Sequence, residues 1–172
     1  PDYFVRYCLD EFGLARTERL LAAHNRPPTV SYRVNYLKAK PEEVAALLKQ
    51  NEIPFTPGKY LPEYLQLQSS GLPLDQELIQ SGKVFVQDES SGLPVRLLNP
   101  KPGSTIADLT AAPGGKTTHA AIRMRNKGMV TAVDKSRQRL ETVVENARRL
   151  GIKSPLQPIP SIRGLTSIRH LR

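Results

Sequence analysis

The chain has little of what would cross-link it or anchor it in a membrane. It contains one cysteine, Cys8, so no internal disulfide can form. Cys8 lies at helical spacing from Val5 and Phe12, which predicts a buried structural thiol rather than a reactive one. No apolar run is long enough to span a bilayer, and the N-terminus has acids and aromatics where a signal peptide has a basic start. We therefore expect a cytoplasmic protein with no membrane partner.

Candidate metal ligands are also scarce. The sequence has three histidines, His24, His119 and His170. They are isolated from one another and from the single cysteine, and metal sites need several ligands at short, regular spacings. We expect each histidine at the surface or partly buried, and we predict no metal site.

Acidic residues are scarce in the second half of the chain. The net charge is +9, and residues 1–86 contribute none of it because they hold ten basic and ten acidic side chains. Residues 87–172 hold fifteen Lys and Arg against six Asp and Glu. Such asymmetry suggests a polyanionic partner, although a merely solvated basic surface would give the same composition.

The first 87 residues predict a pair of helices followed by a small α+β domain. Residues 1–28 show helical spacing of apolar positions, a break at Gly13 and a proline-rich end, which together indicate a helical segment. Residues 29–87 open with apolar and polar residues alternating from Val30 to Val34, as in a strand with one buried face.

The other elements of residues 29–87 complete a known order. They are a helix that Pro41 opens, short strands at 53–56 and 64–68, a helix that Asp75 caps and Gly82 ends, and a strand at 83–87. The order β-α-β-β-α-β is that of a ferredoxin-like or RRM-like domain. Its strands lack the aromatic motifs with which RRM sheets stack bases, so this domain by itself predicts no RNA site.

Residues 88–172 predict the start of a parallel, doubly wound sheet. The elements are a helix at 88–98 that Asp88 caps and whose Leu93, Leu97 and Leu98 face inward, a buried strand at 105–109, a helix at 115–125, a strand at 129–134, a helix from Ser136 to Gly151 and a strand at 156–159. The basic, proline-containing residues that follow predict a weakly structured tail.

The sequence DLTAAPGGKT, from Asp108 to Thr117, has the features of a nucleoside-binding loop. Its small residues let the backbone approach a ligand closely, and the N-terminus of the following helix offers free N–H groups to an anion. Asp134 ends the next strand, where an acid can accept hydrogen bonds from both hydroxyls of a ribose. We therefore expect a nucleoside ligand with an anionic attachment.

Known glycine loops fit this sequence less well. The dinucleotide pattern G-x-G-x-x-G is absent. The phosphate-loop pattern G-x-x-x-x-G-K-[ST] is nearly met, but Thr110 occupies its first glycine position and Pro113 lacks an N–H that the phosphate cradle needs. A P-loop-like nucleotide-binding protein remains the less favoured alternative.

The segment from Val86 to Ile152, which contains this loop, resembles the first part of the catalytic domain of the Sun/Fmu (NOL/NOP/Sun-type) family of RNA 5-methylcytosine methyltransferases. The helical start, the sequence Arg33-Val34-Asn35 and the small α+β domain are more weakly similar to the RNA-side domain of that family. The resemblance implies three parts: the N-terminal helices (1–28), the small ferredoxin-like domain (29–87) and a partial Rossmann-like class I methyltransferase sheet (88–172).

The resemblance also implies S-adenosylmethionine as the cofactor and assigns residues to it. The loop that would wrap its methionine part consists of Thr110, Ala111, Ala112, Pro113, Gly114, Gly115 and Lys116. Asp134 would hold the ribose, and Arg139 either helps near the adenosine or serves only as a solvated surface residue. The family usually has Cys where this chain has Thr110; because threonine is of similar size, we expect binding to survive.

The family's catalytic residues have no counterpart here. A thiolate that adds to carbon 6 of cytosine and a second cysteine that helps to release the product are implied on strands beyond Arg172. Cys8 is not expected to substitute for either, so we assign no catalytic residue. We expect a fragment of an rRNA or tRNA cytosine-5 methyltransferase that is inactive alone, with a non-catalytic cofactor-binding or RNA-binding module as the alternative.

The short parallel sheet has a consequence for assembly. Parallel sheets are normally covered on both faces, and two or three strands leave apolar surface open. The sequence therefore predicts either a place within a larger polypeptide or self-association through the incomplete sheet.

Overall fold

The computed structural model describes residues 2–25, 29–68 and 73–160. Two helices come first, α1 (Asp2–Phe12) and α2 (Leu14–His24). Between them Gly13 has a φ of 71°, a left-handed conformation that glycine adopts without strain. Cys8 is buried, and its carbonyl accepts a hydrogen bond from the Thr17 hydroxyl at 2.8 Å. The predicted helix pair and the buried thiol are both confirmed.

A four-stranded antiparallel sheet with two helices follows. Its elements are β1 (Val30–Val34), α3 (Pro41–Gln50), β2 (Phe55–Pro57), β3 (Tyr64–Leu67), α4 (Pro73–Gln80) and β4 (Val84–Val86). The strand order is β2-β3-β1-β4 with every pairing antiparallel, which is the ferredoxin-like arrangement. The core beneath one face of the sheet includes Tyr32, Val34, Val44, Leu48 and Leu78.

Two predicted details of this domain are wrong. The strand expected at residues 53–56 lies at Phe55–Pro57. Asp75 does not cap α4 but is its third residue, with a buried side chain, because the helix already begins at Pro73. Proline suits the first turn of a helix, where its missing N–H costs nothing.

The second part of the chain is a parallel sheet flanked by helices. Its elements are α5 (Glu89–Leu98), β5 (Thr105–Asp108), α6 (Gly115–Arg123), β6 (Met129–Asp134), α7 (Arg137–Arg149) and β7 (Leu156–Pro160). The strands pair in the order β5-β6-β7. This confirms the predicted fold class and the third strand, while the predicted basic tail lies outside the described residues.

Helix α5 contacts its neighbours through a different face from the predicted one. Leu97 and Leu98, expected to point inward, are 84% and 59% exposed. The buried face carries Gly92 and Val95 instead. A Cβ on Gly92 would lie 2.3 Å from the Tyr64 hydroxyl, so the helix approaches β3 too closely for any larger residue. The contact between α5 and β3 is therefore made at Gly92 and not at Leu97 or Leu98.

Strand β5 is also less buried than predicted. It ends at Asp108, and its residues alternate between exposed and half-buried. Leu109, expected within the strand, follows it and is half exposed. The reason is that β5 is an edge strand: among residues 2–25, 29–68 and 73–160, its outer side pairs with no other strand.

The two sheets are joined through the polar face of β1. Ser31 and Arg33 of β1, and Asn35 directly after the strand, follow the predicted alternation but are buried, since this side packs against the second part of the chain. The Asn35 amide donates hydrogen bonds to the carbonyls of Gly82 and Leu150, both at 2.8 Å. The small sheet is therefore covered on both faces, by its own helices and by the second part of the chain.

Candidate cofactor site

The loop that leads from β5 into α6 is shaped by a glycine. Gly114 has a φ of 104° and is the N-cap of α6. Only glycine adopts this conformation readily. A Cβ at this position would also lie 3.3 Å from Val143 Cα and Cγ1 in α7. The conformation favours glycine, and the close approach of α7 leaves little space for a side chain.

Asp108 fixes the two ends of the loop to each other. Its Oδ2 accepts a hydrogen bond from the Thr117 hydroxyl at 2.7 Å, and its Oδ1 accepts from the Thr110 N–H at 3.2 Å. The strand end is thereby tied to the first turn of α6. The sequence indicated only that a strand ends here, and this bridging role of Asp108 had no signal beyond its position.

Asp134 lies beside the loop, as its position at the end of β6 predicts. Its two carboxylate oxygens accept hydrogen bonds from the N–H groups of Ala112 and Ser136, both at 3.2 Å. Burial raises the pKa of Asp134, but these N–H groups and the nearby Arg139 guanidinium outweigh that effect and lower the pKa overall. The carboxylate is therefore ionised at neutral pH and can accept hydrogen bonds.

Two side chains of α7 hold the outer side of the loop. Arg139 Nη1 lies 3.5 Å from Asp134 Oδ1, and Nη2 donates to the Ala112 carbonyl at 3.3 Å. Arg139 therefore contacts the site rather than being only solvated. Asn146 donates from its amide to the Pro113 carbonyl at 2.9 Å. No motif marks Asn146, which faces the loop only because of its register along the helix.

The predicted cofactor residues lie together but differ in exposure. Ala111 and Gly114 are buried, Ala112 and Gly115 are half-buried, and Thr110, Pro113 and Lys116 are exposed. The N–H groups in the first turn of α6 have no acceptor within the helix and are free to meet an anion. The site thus combines backbone donors at the start of α6 with the Asp134 carboxylate beside the loop, which is 6% exposed.

A buried histidine of α6 connects this helix to the small domain. His119 is 2% exposed, so the expectation of a surface or partly buried position is wrong. Its Nε2 lies 3.3 Å from the Glu63 carboxylate, which Arg123 also approaches at 3.9 Å. Burial lowers the pKa of His119 to about 4, and the opposing effect of Glu63 is smaller. The ring is neutral at pH 7 and donates Nε2–H to Glu63.

The part of the chain that the structure describes contains neither a membrane-spanning helix nor a cluster of metal ligands. None of its helices is long and apolar enough to cross a bilayer. Among the same residues, no group of three or more His, Cys, Asp and Glu side chains is placed to hold a metal ion.

Two family models match this chain. One describes the ferredoxin-like domain of RsmF/B-like methyltransferases and matches residues 1–73. The other describes the 16S rRNA methyltransferase RsmB/F and matches residues 95–157. The first therefore covers the helices and most of the small domain, and the second covers the cofactor loop and the parallel sheet.

Known proteins of similar sequence and structure agree with these matches. The chain is 35% identical over 152 residues to the probable ribosomal RNA small subunit methyltransferase B of Bacillus subtilis (strain 168), covering 88% of this chain and 34% of that protein. It is 45% identical over 85 residues to the tRNA (cytosine(72)-C(5))-methyltransferase of Pyrococcus horikoshii, covering 48% and 22% respectively. A crystal structure of a methyltransferase homolog protein from Pyrococcus horikoshii has a TM-score of 0.83 at 29% identity, covering 96% of this chain and 55% of that one.

The chain thus spans about a third or less of the curated relatives just described. The two family models nevertheless match most of its residues in the expected order. The chain belongs to the RsmB/F methyltransferase family, the Sun/Fmu family that its glycine loop resembles.

Proposed function

We propose that this chain binds S-adenosylmethionine through residues 110–116 and Asp134. The observation that carries the proposal is the Asp134 carboxylate, held beside a glycine loop that opens a helix. The first-turn N–H groups of α6 suit the carboxylate of the methionine part, since a helix N-terminus stabilises negative charge. Asp134 suits the ribose hydroxyls. When bound, the cofactor supplies the methyl group that is transferred.

We propose further that the chain is part of an RNA cytosine-C5 methyltransferase of the cytoplasm, with rRNA or tRNA as its substrate. Relatives named for small-subunit rRNA and for cytosine 72 of tRNA support this substrate class. The excess of fifteen basic over six acidic side chains in residues 87–172 suits a polyanionic partner.

We expect that the chain alone does not catalyse methylation of cytosine in RNA. Methylation at carbon 5 of cytosine requires a nucleophile that first activates the ring, and a thiolate serves this purpose in the family. The sequence has one cysteine, and its side chain is buried in α1. The 172 residues therefore supply a cofactor site without a thiolate beside it, and a non-catalytic binding module remains the second candidate.

A P-loop-like nucleotide site is the less supported alternative. Asp134 accepts a hydrogen bond from the Ala112 N–H of the loop, so phosphates bound in the loop would lie near an ionised carboxylate. The negative charges of the phosphates and of the carboxylate would repel each other. Pro113 also removes one backbone donor from the loop.

Calorimetry with two ligands tests the proposal. We expect S-adenosylmethionine to bind the 172-residue chain and ATP not to bind. The Asp134→Asn variant should bind S-adenosylmethionine about tenfold more weakly, because hydrogen bonds to a charged acceptor are stronger than those to an amide. Lys153→Gln, a change on the surface away from the loop, is the matched control. Cytosine methylation of rRNA or tRNA by this chain alone would contradict the absence of a nucleophile.

A further inference from the structure

Arg33 reaches from the small domain to the start of the cofactor loop's helix. It lies in β1 and is 1% exposed. Its Nη1 donates to the carbonyl of Gly115, 82 residues along the chain, and its Nη2 donates to the Thr118 hydroxyl at 2.9 Å. A side chain of the ferredoxin-like domain is therefore hydrogen-bonded to the first turn of α6.

The guanidinium is held in place from its other side as well. Arg33 Nη1 also donates to Gln87 Oε1 at 2.6 Å, and the same oxygen accepts from the Tyr64 hydroxyl at 3.1 Å. The Phe85 ring lies beneath the guanidinium, with 5.0 Å from Cζ to the ring centroid. Burial lowers the pKa of Arg33 to about 10, so the group remains charged at neutral pH.

These contacts add to the helix's own hydrogen bonds, which include Thr118 N–H to the Gly114 carbonyl at 2.9 Å, in orienting two peptide groups at the start of α6. The Gly115 carbonyl accepts directly from Arg33, and the Gly114 carbonyl accepts from the Thr118 hydroxyl at 2.7 Å. A peptide group is planar, with its C=O and N–H pointing in opposite directions. Fixing these two carbonyls therefore also fixes the directions of the N–H groups of Gly115 and Lys116, which lie on the opposite sides of the same peptide groups.

We propose that Arg33 is a positioning residue of the cofactor site, which aims the Gly115 and Lys116 N–H groups at the cofactor's carboxylate. This inference rests on the proposed function. Its consequence is that the ferredoxin-like domain is a component of the cofactor site in addition to any role on the RNA side. Charged donors make this contact stronger than a neutral side chain could.

Paired substitutions on β1 separate positioning from general domain contact. Arg33→Met removes all donors to the loop, and Arg33→Lys keeps the charge with a single donor group. Asn35→Ala is the control, because Asn35 directly follows β1 and is equally buried, but it donates to the carbonyls of Gly82 and Leu150 rather than to the loop. We expect the S-adenosylmethionine Kd to rise about tenfold or more in Arg33→Met, less in Arg33→Lys, and to stay within about twofold in Asn35→Ala.

A second variant and a second measurement guard against misfolding. Thr118→Val is nearly isosteric and removes the hydroxyl that links Arg33 to the Gly114 carbonyl and that also donates to the Gly115 carbonyl at 3.3 Å. It should therefore also weaken binding. In nuclear magnetic resonance spectra of the unliganded protein, both the Arg33→Lys and Thr118→Val variants should shift the amide signals of Gly115 and Lys116. Asn35→Ala should leave those two signals in place.

The outcomes of these experiments are distinct. If the unaltered chain does not bind S-adenosylmethionine, the proposed function fails, while the amide shifts still report whether Arg33 orients the loop. If the unaltered chain binds S-adenosylmethionine and the Arg33 and Thr118 variants bind it with the same affinity as the unaltered chain, Arg33 does not position the loop. Equal loss of affinity in Arg33→Met and Asn35→Ala would also overturn the inference, because it would indicate domain contact alone.

Discussion

At the scale of single residues, Gly114 is the position on which the loop depends most. Its φ of 104° strains any other residue, and the 3.3 Å approach of Val143 leaves little space for a side chain. Gly114→Val should therefore abolish detectable S-adenosylmethionine binding, as measured by calorimetry on protein shown to be folded by circular dichroism. Gly103→Val is the control: its φ of 92° imposes similar strain, but a Cβ there meets no atom within 4 Å. Unchanged affinity in Gly114→Val would refute the loop assignment.

His119 predicts how the stability of the fold depends on pH. Its pKa is lowered to about 4 by burial, whereas an unfolded chain gives histidine a pKa of about 6.5. Between these values the unfolded chain takes up a proton and the folded chain does not. The free energy of unfolding should therefore be fully maintained above about pH 6.5 and should fall as the pH drops, by up to about 1.4 kcal/mol per pH unit.

Urea titrations at pH 5.0 to 7.0 measure this dependence, in a range above the titration of Glu63, whose pKa is lowered. His119→Gln keeps a donor for Glu63 and should flatten the slope. His24→Gln, at an exposed position in α2, should leave the slope as it is. If the slope persists in His119→Gln, the pH dependence of stability arises from groups other than His119.

The residues predicted from the sequence and those missed differ in a physical way. The loop residues and Asp134 follow from local features, namely small residues at a strand end and an acid ending the next strand. Arg33 and Asn146 act through contacts across 82 and 33 residues of sequence, which no spacing rule captures. The burial of His119 has no local signal for the same reason, since its partner Glu63 lies 56 residues away in the sequence.

At the scale of elements, helix α5 shows where periodicity is not sufficient. Its leucines have helical spacing, yet Leu97 and Leu98 are exposed and Gly92 lies against Tyr64. The apolar pattern predicts that a helix exists but not which face is buried. The buried face is the one that carries Gly92, because only a small residue fits in the close contact with Tyr64. By contrast, the helices whose ends coincide with Gly13 and Gly151 were predicted well, since a left-handed glycine is a local stop signal.

The contact between α5 and β3 leads to a stability prediction. Gly92→Ala would place a Cβ 2.3 Å from the Tyr64 hydroxyl and 2.8 Å from Leu61 Cδ1. Overpacking of this kind costs about 1–3 kcal/mol, although alanine favours helix more than glycine does. Urea denaturation should show the loss, with Ser90→Ala on the exposed side of the same helix as the control. Equal or greater stability of Gly92→Ala would mean that α5 can move away from β3.

At the scale of the whole molecule, the open edge of β5 is the feature that bears on assembly. Within the described residues no strand pairs with it, and Leu98 and Leu109 beside it are 59% and 50% exposed. A cavity of about 160 Å³ beside α5 and β5 is lined mainly by apolar residues such as Leu98 and Ile106, and at one end by Asp108, Lys116 and Thr117. Unpaired edges and exposed apolar surface favour association with another chain.

We therefore predict concentration-dependent self-association of this chain, measurable by sedimentation equilibrium. Leu98→Glu should shift the equilibrium toward monomer by placing a charge at the open edge. Leu14→Glu is the control, because Leu14 is 66% exposed in α2, away from β5. A monomer at all concentrations, or equal effects of the two substitutions, would exclude association through this edge.

The central claim is that the loop at residues 110–116 and Asp134 form a site for S-adenosylmethionine. Calorimetric titration of the 172-residue chain with S-adenosylmethionine, and separately with ATP, tests it most directly. The structure leads us to expect saturable binding of S-adenosylmethionine that Gly114→Val abolishes, with no response to ATP. Tight binding of ATP with no response to S-adenosylmethionine would contradict the claim.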